Sequence, residues 1–437
     1  MLTNKKTLII VICAWIFIAT WYLTHTKWGN MDVSMCYDCI VHFNKTHWIV
    51  VEHQLAGGTE MLHQPPLYYL INSIVFSDTL FTNHQNENPM PHINVVRALS
   101  VIYGGLTLFF LSFFLQQVTK CELDKLLVLL YLCTTPKFVN IFTSYNNDTL
   151  AILLIAVLGV IAYKLCYKSS LLLAICLFIT ATASIFTKYT SVLFICSIIV
   201  ICCKNCLKLK LPTKNELKIV FILILSLTSL IPWVHYCTKI SNPPIPLFPT
   251  SDTTIFQGIH NTDYGHLTKN IKQALKMVIR IPILQLPKRA WEDPWTHTLD
   301  EPQTKKSDYW AYSWMSSVIG AAIYHKPSQQ VIWLLLFIHL LVYIIAFREL
   351  FRSKITRLVT FIIFSTSFMH LAYLLNKDFT GSTFDYRYLG WNLGSWTILI
   401  LSALSNPTFK FAPKRMLMIV AILINTYVVM VGDGYLW

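Results

Sequence analysis

Leu8-Ile9-Ile10-Val11-Ile12-Cys13-Ala14-Trp15-Ile16-Phe17-Ile18-Ala19-Thr20-Trp21-Tyr22-Leu23 carries no charge, and Lys5-Lys6 stands just before it. The apolar part of a secretory signal is roughly 7–15 residues long and ends at a small-residue cleavage site. This run is longer and no such site follows, so it reads as a retained first span. A bilayer crossing needs roughly 20 mostly apolar residues. Runs of that kind recur near residues 7–24, 94–117, 125–143, 149–167, 170–187, 189–203, 218–236, 331–347, 357–375, 387–404 and 415–432. The expected fold is an all-α polytopic membrane protein with about eleven transmembrane helices. The pair on either side of Lys188 could instead be one long, broken helix, which would invert everything downstream.

Composition supports this reading. Of 437 residues, 55% are hydrophobic and 13% charged, against about 25% charged in soluble domains. The formal charge of +14 does not indicate a nucleic-acid partner, because the cations sit in short loops between apolar runs, and no soluble stretch interleaves them with aromatics. Several of the twelve cysteines lie within apolar runs, among them Cys13, Cys133, Cys176 and Cys196. There they act as small hydrophobes rather than as a disulfide framework. Cys36 and Cys39 form a C-x-x-C with no second ligand pair, so no metal site is assigned.

With the N-terminus inside, the inner loops hold Lys120 and Lys125, Lys164 and Lys168, Lys204 to Lys214, Arg348 to Arg357, and Lys410 to Arg415. The short outer loops hold only Lys188, Lys377 and Arg387. This asymmetry is the positive-inside pattern. The chain then divides into a membrane module at 1–236 with a first outer loop at 29–93, a large outer loop at 237–330, and C-terminal membrane helices at 331–437. Both long loops are expected to contain short helices, such as an amphipathic one over residues 271–284.

The chemistry-bearing residues fall on this outer side. Asp38 and His42 are four apart and would share one face of a helix, an arrangement suited to proton transfer or to a solvated surface. In His63-Gln64-Pro65-Pro66-Leu67-Tyr68-Tyr69, the prolines fix where a short helix over 67–76 begins, and so aim His63 and Gln64. Arg97, at the start of the second span, can snorkel to water or bind phosphate. Asp148, in Asn147-Asp148-Thr149, can cap the fourth span or orient a polar substrate. Lys188-Tyr189 and Asp385-Tyr386-Arg387-Tyr388 place ionisable groups at membrane boundaries, where they are commonly functional or paired. Lys188, Arg387 and Arg97 could together hold a phosphate headgroup.

In this order, Asp38, Pro65-Pro66-Leu67-Tyr68-Tyr69, Arg97, Asn147-Asp148, Lys188-Tyr189 and Arg387-Tyr388 resemble the motifs of the GT-C glycosyltransferases. The pattern is most similar to that of the protein O-mannosyltransferase-like members (glycosyltransferase family 39) and of the bacterial aminoarabinose transferases of lipid A. The resemblance departs at Cys39, where the family commonly has a second acid, and Trp291-Glu292-Asp293-Pro294-Trp295 fits none of its motifs. It implies a GT-C-like fold and transfer of a sugar from a polyprenyl-phosphate donor, with inversion, to a protein, lipid or glycan acceptor outside. Asp38 would be the general base. Arg97, Lys188 and Arg387 would bind phosphate, and His42, His63, Gln64, Asp148 and Tyr189 would bind substrate. No cofactor is required, although a divalent cation is compatible. The expected location is a bacterial cell membrane rather than the endoplasmic reticulum.

Two other classes compete. A transporter would place ionisable groups and broken helices near the midplane, often in repeated halves; here the spans are largely free of charge and no repeat is found. A catalytically inactive GT-C homologue is compatible with the missing second acid.

Overall fold

The computed structural model describes residues 4–25, 40, 43, 65–75, 90–207, 213–235, 317–318, 322–324, 329–375, 390–407, 413–431 and 434–436. In chain order the elements are α1 (Lys5–His25), α2 (Leu67–Val75), α3 (Met90–Val118), α4 (Glu122–Thr134), α5 (Pro136–Thr143), α6 (Asn147–Tyr167), α7 (Leu171–Thr187), α8 (Ser191–Leu207), α9 (Lys214–Thr228), α10 (Leu230–His235), β1 (Ala322–Tyr324), α11 (Gln329–Phe347), α12 (Lys354–Leu375), α13 (Asn392–Ser405), α14 (Lys414–Val431) and β2 (Gly434–Leu436). Every apolar run read from the sequence contains a helix.

Among the described residues, six helices are long and apolar enough to cross a membrane, and a bent pair makes a seventh. Shorter apolar helices occupy the other four runs. Phe221, Phe368 and Leu171 are 68%, 71% and 74% exposed. Apolar rings and chains left uncovered on helices whose backbone groups are bonded internally suit a hydrocarbon solvent. The chain is an integral, multi-pass membrane protein. Among the described residues, the departure from an all-α fold is a short antiparallel ladder pairing Ala322 with Leu436, Ile323 with Tyr435 and Tyr324 with Gly434.

The third apolar run is not one straight span. It bends by 60° between α4 and α5. The cause is Pro136, which has no N–H to continue the helix and pushes the preceding residue out of helical space. Thr135 accordingly has φ −57° and ψ 123°. Pro136 then occupies the first position of α5, where a proline costs no hydrogen bond.

The helices group into two units, with the boundary falling in α3 after Leu111 and in α5 after Ile141. The first unit contains α1, α4 and α11 to α14. Three of its helices share a buried polar network. Tyr131 Oη lies 2.6 Å from His339 Nδ1, His339 Nε2 lies 2.8 Å from Asn425 Oδ1, and Asn425 Nδ2 donates to Thr134 Oγ1 at 3.4 Å. An imidazole with its proton on Nε2 satisfies both of its contacts. In an apolar surround such bonds align helices that apolar packing alone leaves free to slide.

At one end of this unit, loops that the sequence assigned to one membrane side meet. Asp124 accepts from Arg415 Nε at 2.8 Å and from Ser405 Oγ at 3.3 Å. Glu349 accepts from Asn406 Nδ2 at 2.6 Å, Ser402 Oγ at 2.9 Å and Arg352 Nη1 at 3.0 Å. Lys414 Nζ donates to the carbonyls of Ala403 and Asn406 at the end of α13, where a cation complements the helix dipole. Lys125, read as a loop cation, lies within α4, buried and bonded to Glu122 at 2.5 Å.

The second unit contains α2, the first part of α3, and α6 to α10. Residues 168–170 join α6 to α7, a connection short enough to make them antiparallel neighbours. Ser170 caps α7 by accepting from Leu173 N–H at 3.4 Å. Thr213 and Glu216 form a capping box at the start of α9, satisfying two N–H groups that the helix cannot. Asn215 Nδ2 donates to the Cys166 carbonyl at 3.4 Å, so the start of α9 meets the end of α6. The opposite end of that stretch meets the Lys188 turn, since Trp233 Nε1 donates to Tyr189 Oη at 2.9 Å. The residues around Lys188 therefore form two helices running in opposite senses, not one broken helix.

Glu349→Ala is expected to lower the unfolding free energy of the detergent-solubilised chain by about 2 kcal/mol, because Asn406 and Ser402 lose a buried acceptor while the half-exposed Arg352 contributes little. An unchanged thermal midpoint would mean that this cluster does not hold the helix ends.

Candidate functional site

In the second unit two of the sequence-marked residues, Asp148 and Lys188, meet at helix termini. The hairpin of α6 and α7 brings the start of one helix beside the end of the other. Asn146 precedes α6 in an extended conformation and caps it, its Oδ1 accepting from Asp148 N–H at 3.0 Å. The cap is therefore Asn146 and not Asp148, which the sequence left as a candidate. An amide oxygen at that position does the capping, and the Asp148 carboxylate is left for another partner.

That partner is Lys188. Its Nζ is hydrogen-bonded to Asp148 Oδ1 in a buried ion pair, the side chains being 7% and 5% exposed. Each charge also lies at the helix end that attracts it. Asp148 is in the first turn of α6, the positive end, and Lys188 follows the last turn of α7, the negative end. Taking both charges out of water is costly, and removing one partner of such a pair typically costs about 3–5 kcal/mol. Beside the pair, Asn147 Nδ2 donates to the Thr187 carbonyl at 3.4 Å, which ties the two helix ends together through neutral groups as well.

Arg97 is 2% exposed. Its Nε donates to the Thr143 carbonyl at 2.6 Å. Thr143 ends α5, whose last carbonyls lack intrahelical partners. The turn that follows, Ser144 to Asn146, is held by Asn146 Nδ2 donating to Ser144 Oγ at 2.8 Å and delivers the chain to Asp148. Arg97 thus fixes the beginning of the segment that carries the carboxylate. The side chain is not snorkelling to a surface; it is interior.

Aromatic packing surrounds the same turn. Pro65-Pro66 precedes α2 as the sequence implied, and Leu70 N–H bonds to the Pro66 carbonyl at 2.9 Å. Tyr68, Tyr69 and Tyr145 are each 1% exposed. The Tyr68 ring lies 5.8 Å from that of Tyr145, just before Asn146, a separation at which aromatic pairs attract. Tyr189 follows Lys188 and receives the Trp233 indole hydrogen bond described above.

Of the residues assigned from sequence, the structure places Arg97, Asp148, Lys188 and Tyr189 in this unit, and it joins Asp148 directly to Lys188. Asp38, His42, His63, Gln64 and Arg387 lie outside the described residues. The sequence reading passed over Asn146 as the cap, Thr143 as the anchor of Arg97, and Trp233. It also missed Lys137, which lies inside the third apolar run and is 1% exposed. Lys137 had a visible signal, being an ionisable residue at membrane depth. No group of three or more His, Cys, Asp or Glu able to hold a metal ion occurs among the described residues. An open cavity of about 570 Å³, lined by Tyr163, Lys164, Tyr167, Lys168, Ser170 and Leu173, is at the other end of the α6–α7 hairpin.

No protein-family model matches the chain, and no curated protein matches it significantly. Among solved structures it is similar to the crystal structure of ArnT from Cupriavidus metallidurans bound to undecaprenyl phosphate. That likeness covers 93% of this chain and 79% of the other, at 10% identity and a TM-score of 0.43. Similarity at this level does not assign a family.

Arg97→Ala is expected to destabilise the chain by about 2 kcal/mol, the value of a hydrogen bond from a charged donor. Arg97→Lys should recover less than half of that, since lysine has no donor partway along a planar fork. Thermal unfolding of the purified variants checks this, and a lysine variant as stable as wild type would contradict it.

Proposed function

We propose that the chain is a membrane glycosyltransferase of the GT-C kind. It would take a sugar from a polyprenyl-phosphate donor and pass it to a protein, lipid or glycan acceptor on the outer face of a bacterial cell membrane. The observation that supports this reading best is the Asp148–Lys188 contact. These residues belong to the Asn-Asp and Lys-Tyr elements of the sequence pattern, forty positions apart, and they meet at helix ends rather than at mid-span. A charged pair at the mouth of a helix group suits a substrate whose lipid lies in the bilayer and whose phosphosugar lies at the interface. A transporter would be expected to hold such groups near the midplane of broken helices.

In this reading Asp38 takes the proton from the acceptor hydroxyl as general base. The freed oxygen attacks the anomeric carbon from the face opposite the phosphate. The bond from that carbon to the phosphate oxygen breaks, and the lipid phosphate leaves with the bonding pair. Lys188, with Arg387, offsets the charge that grows on the leaving oxygen. Asp148 and the dipole at the end of α7 hold the Lys188 ammonium in place, so that little reorganisation accompanies the reaction. His42, His63, Gln64 and Tyr189 position sugar and acceptor. Arg97 acts at one remove, through the Thr143 carbonyl. Asp38, His42, His63, Gln64 and Arg387 enter from the sequence pattern alone.

Asp38→Asn should abolish transfer of sugar from a polyprenyl-phosphate donor in membranes, by at least about a hundredfold for loss of a general base, with expression and thermal midpoint unchanged. A variant as active as wild type would remove Asp38 from the mechanism. Absence of any lipid-linked sugar turnover by the wild-type chain, with a change in the cell's lipid-linked pool only when transport is measured, would favour the transporter.

A further inference from the structure

Directly after Lys188 the chain makes a tight turn into α8. The N–H groups of Ser191, Val192 and Leu193 bond to the carbonyls of Lys188, Tyr189 and Thr190 at 3.0, 3.0 and 3.1 Å. These i to i−3 bonds close a tight turn that brings the Ser191 N–H onto the carbonyl of Lys188, which is itself extended. They engage the N–H groups of Ser191, Val192 and Leu193, and side chains add further donors there. Two of those are unusual. Ser191 Oγ and Thr190 Oγ1 are buried and make no hydrogen bond, and Ser191 as a whole is 0% exposed. A buried hydroxyl left without a partner costs about 1–3 kcal/mol. Such groups are uncommon in folded proteins; Ser100 Oγ and Thr182 Oγ1 are in the same state elsewhere in the unit, but these two lie at a helix start next to Lys188 in the chain.

Serine and threonine are common at helix starts because they cap free N–H groups, but these two hydroxyls cap none. Alanine and valine would fill the same space without cost. The cost falls within three residues of Lys188 and at the positive end of a seventeen-residue helix, where an anion is favoured. Asp148 lies on the Lys188 ammonium, so the local charge is balanced before any ligand arrives. A ligand that adds negative charge therefore gains from donors in addition to Lys188, and two hydroxyls supply them.

We infer that Thr190 and Ser191 donate hydrogen bonds to the non-bridging oxygens of a phosphate group held against Lys188. This rests on the functional reading above in one respect: the source of the phosphate is taken as a lipid phosphate rather than free phosphate. The two hydroxyls then select for the phosphate end of the donor, while Asp148 keeps Lys188 from binding it too tightly to release.

The test uses the full-length chain in detergent, with Ser191→Ala and Thr190→Val as variants and farnesyl phosphate, farnesol and inorganic phosphate as probes. Each variant should weaken farnesyl phosphate binding about tenfold, the size of a hydrogen bond to a charged acceptor, and leave farnesol binding unchanged. Each should also be at least as thermally stable as wild type when unliganded, because an unsatisfied buried hydroxyl has been removed. Hydroxyl-dependent binding of inorganic phosphate without farnesyl phosphate binding would keep the site and assign it to free phosphate. Unchanged phosphate binding in both variants would overturn the inference, as would an equal loss for farnesol, which would indicate general damage to packing. If the wild-type chain transfers no sugar yet the tenfold loss is seen, the transferase reading fails and this site stands. If sugar transfer is present and the variants bind phosphate normally, only this site fails.

Discussion

Two opposite charges removed from water, Asp148 and Lys188, set the terms for the second helical unit. Neither is tolerable there alone, and each is supported from its own side. The carboxylate sits over the positive end of α6 and the ammonium over the negative end of α7. For the two to meet, the helices must run antiparallel with their ends level. The three-residue connection at 168–170, the Asn147 bond to Thr187, and the Asn146 cap all serve that alignment. The Arg97 bond to the Thr143 carbonyl then fixes how the chain enters the turn. A chain of local satisfactions, each answering an orphaned backbone group, thus ends in a defined distance between two side chains.

The first unit solves a similar problem differently. Its mid-helix network of Tyr131, His339, Asn425 and Thr134 is neutral, and its charges are gathered at one end, where Asp124 and Glu349 are surrounded by donors. This distribution fits a role in holding helices together: neutral bonds where the surround is apolar, ion pairs where water and lipid headgroups are near. The second unit keeps a charged pair buried, accepts two unsatisfied hydroxyls next to it in the chain, and invests several polar contacts in its geometry. Unsatisfied features of that kind are expected where a site must receive something.

The helices were legible because a bilayer crossing demands a long apolar run, and each such run in the sequence contains a helix. The lysines and arginines assigned three of the loops to one side, and residues 122–125, 349–352, 402–406 and 414–415 do meet at one end of their unit. The bend at Pro136 was open to the same reading, since the proline stands in plain view; hydropathy averaged over a window hides a break that one residue makes. The capping role of Asn146 was not legible, because asparagine and aspartate cap equally well and only the geometry separates them. Trp233 was lost among many tryptophans near span ends, where they are common for reasons of the interface alone. The Asn-Asp and Lys-Tyr elements were visible as pieces, but that forty residues of hairpin bring them into contact depends on where α6 turns back, which Ser170 decides. Asp38, His63 and Arg387 remain readings of the sequence.

The most direct test of the account is a double-mutant cycle on Asp148 and Lys188, measured as the unfolding free energy of the full-length chain in detergent. Replacing either residue by alanine should cost about 3–5 kcal/mol, and replacing both should cost no more than the worse of the two, because the survivor of each single change is a buried charge without its counterion. Single losses below about 0.5 kcal/mol that simply add in the double variant would mean that the two charges are independent, and the arrangement of α6 and α7 would need another cause.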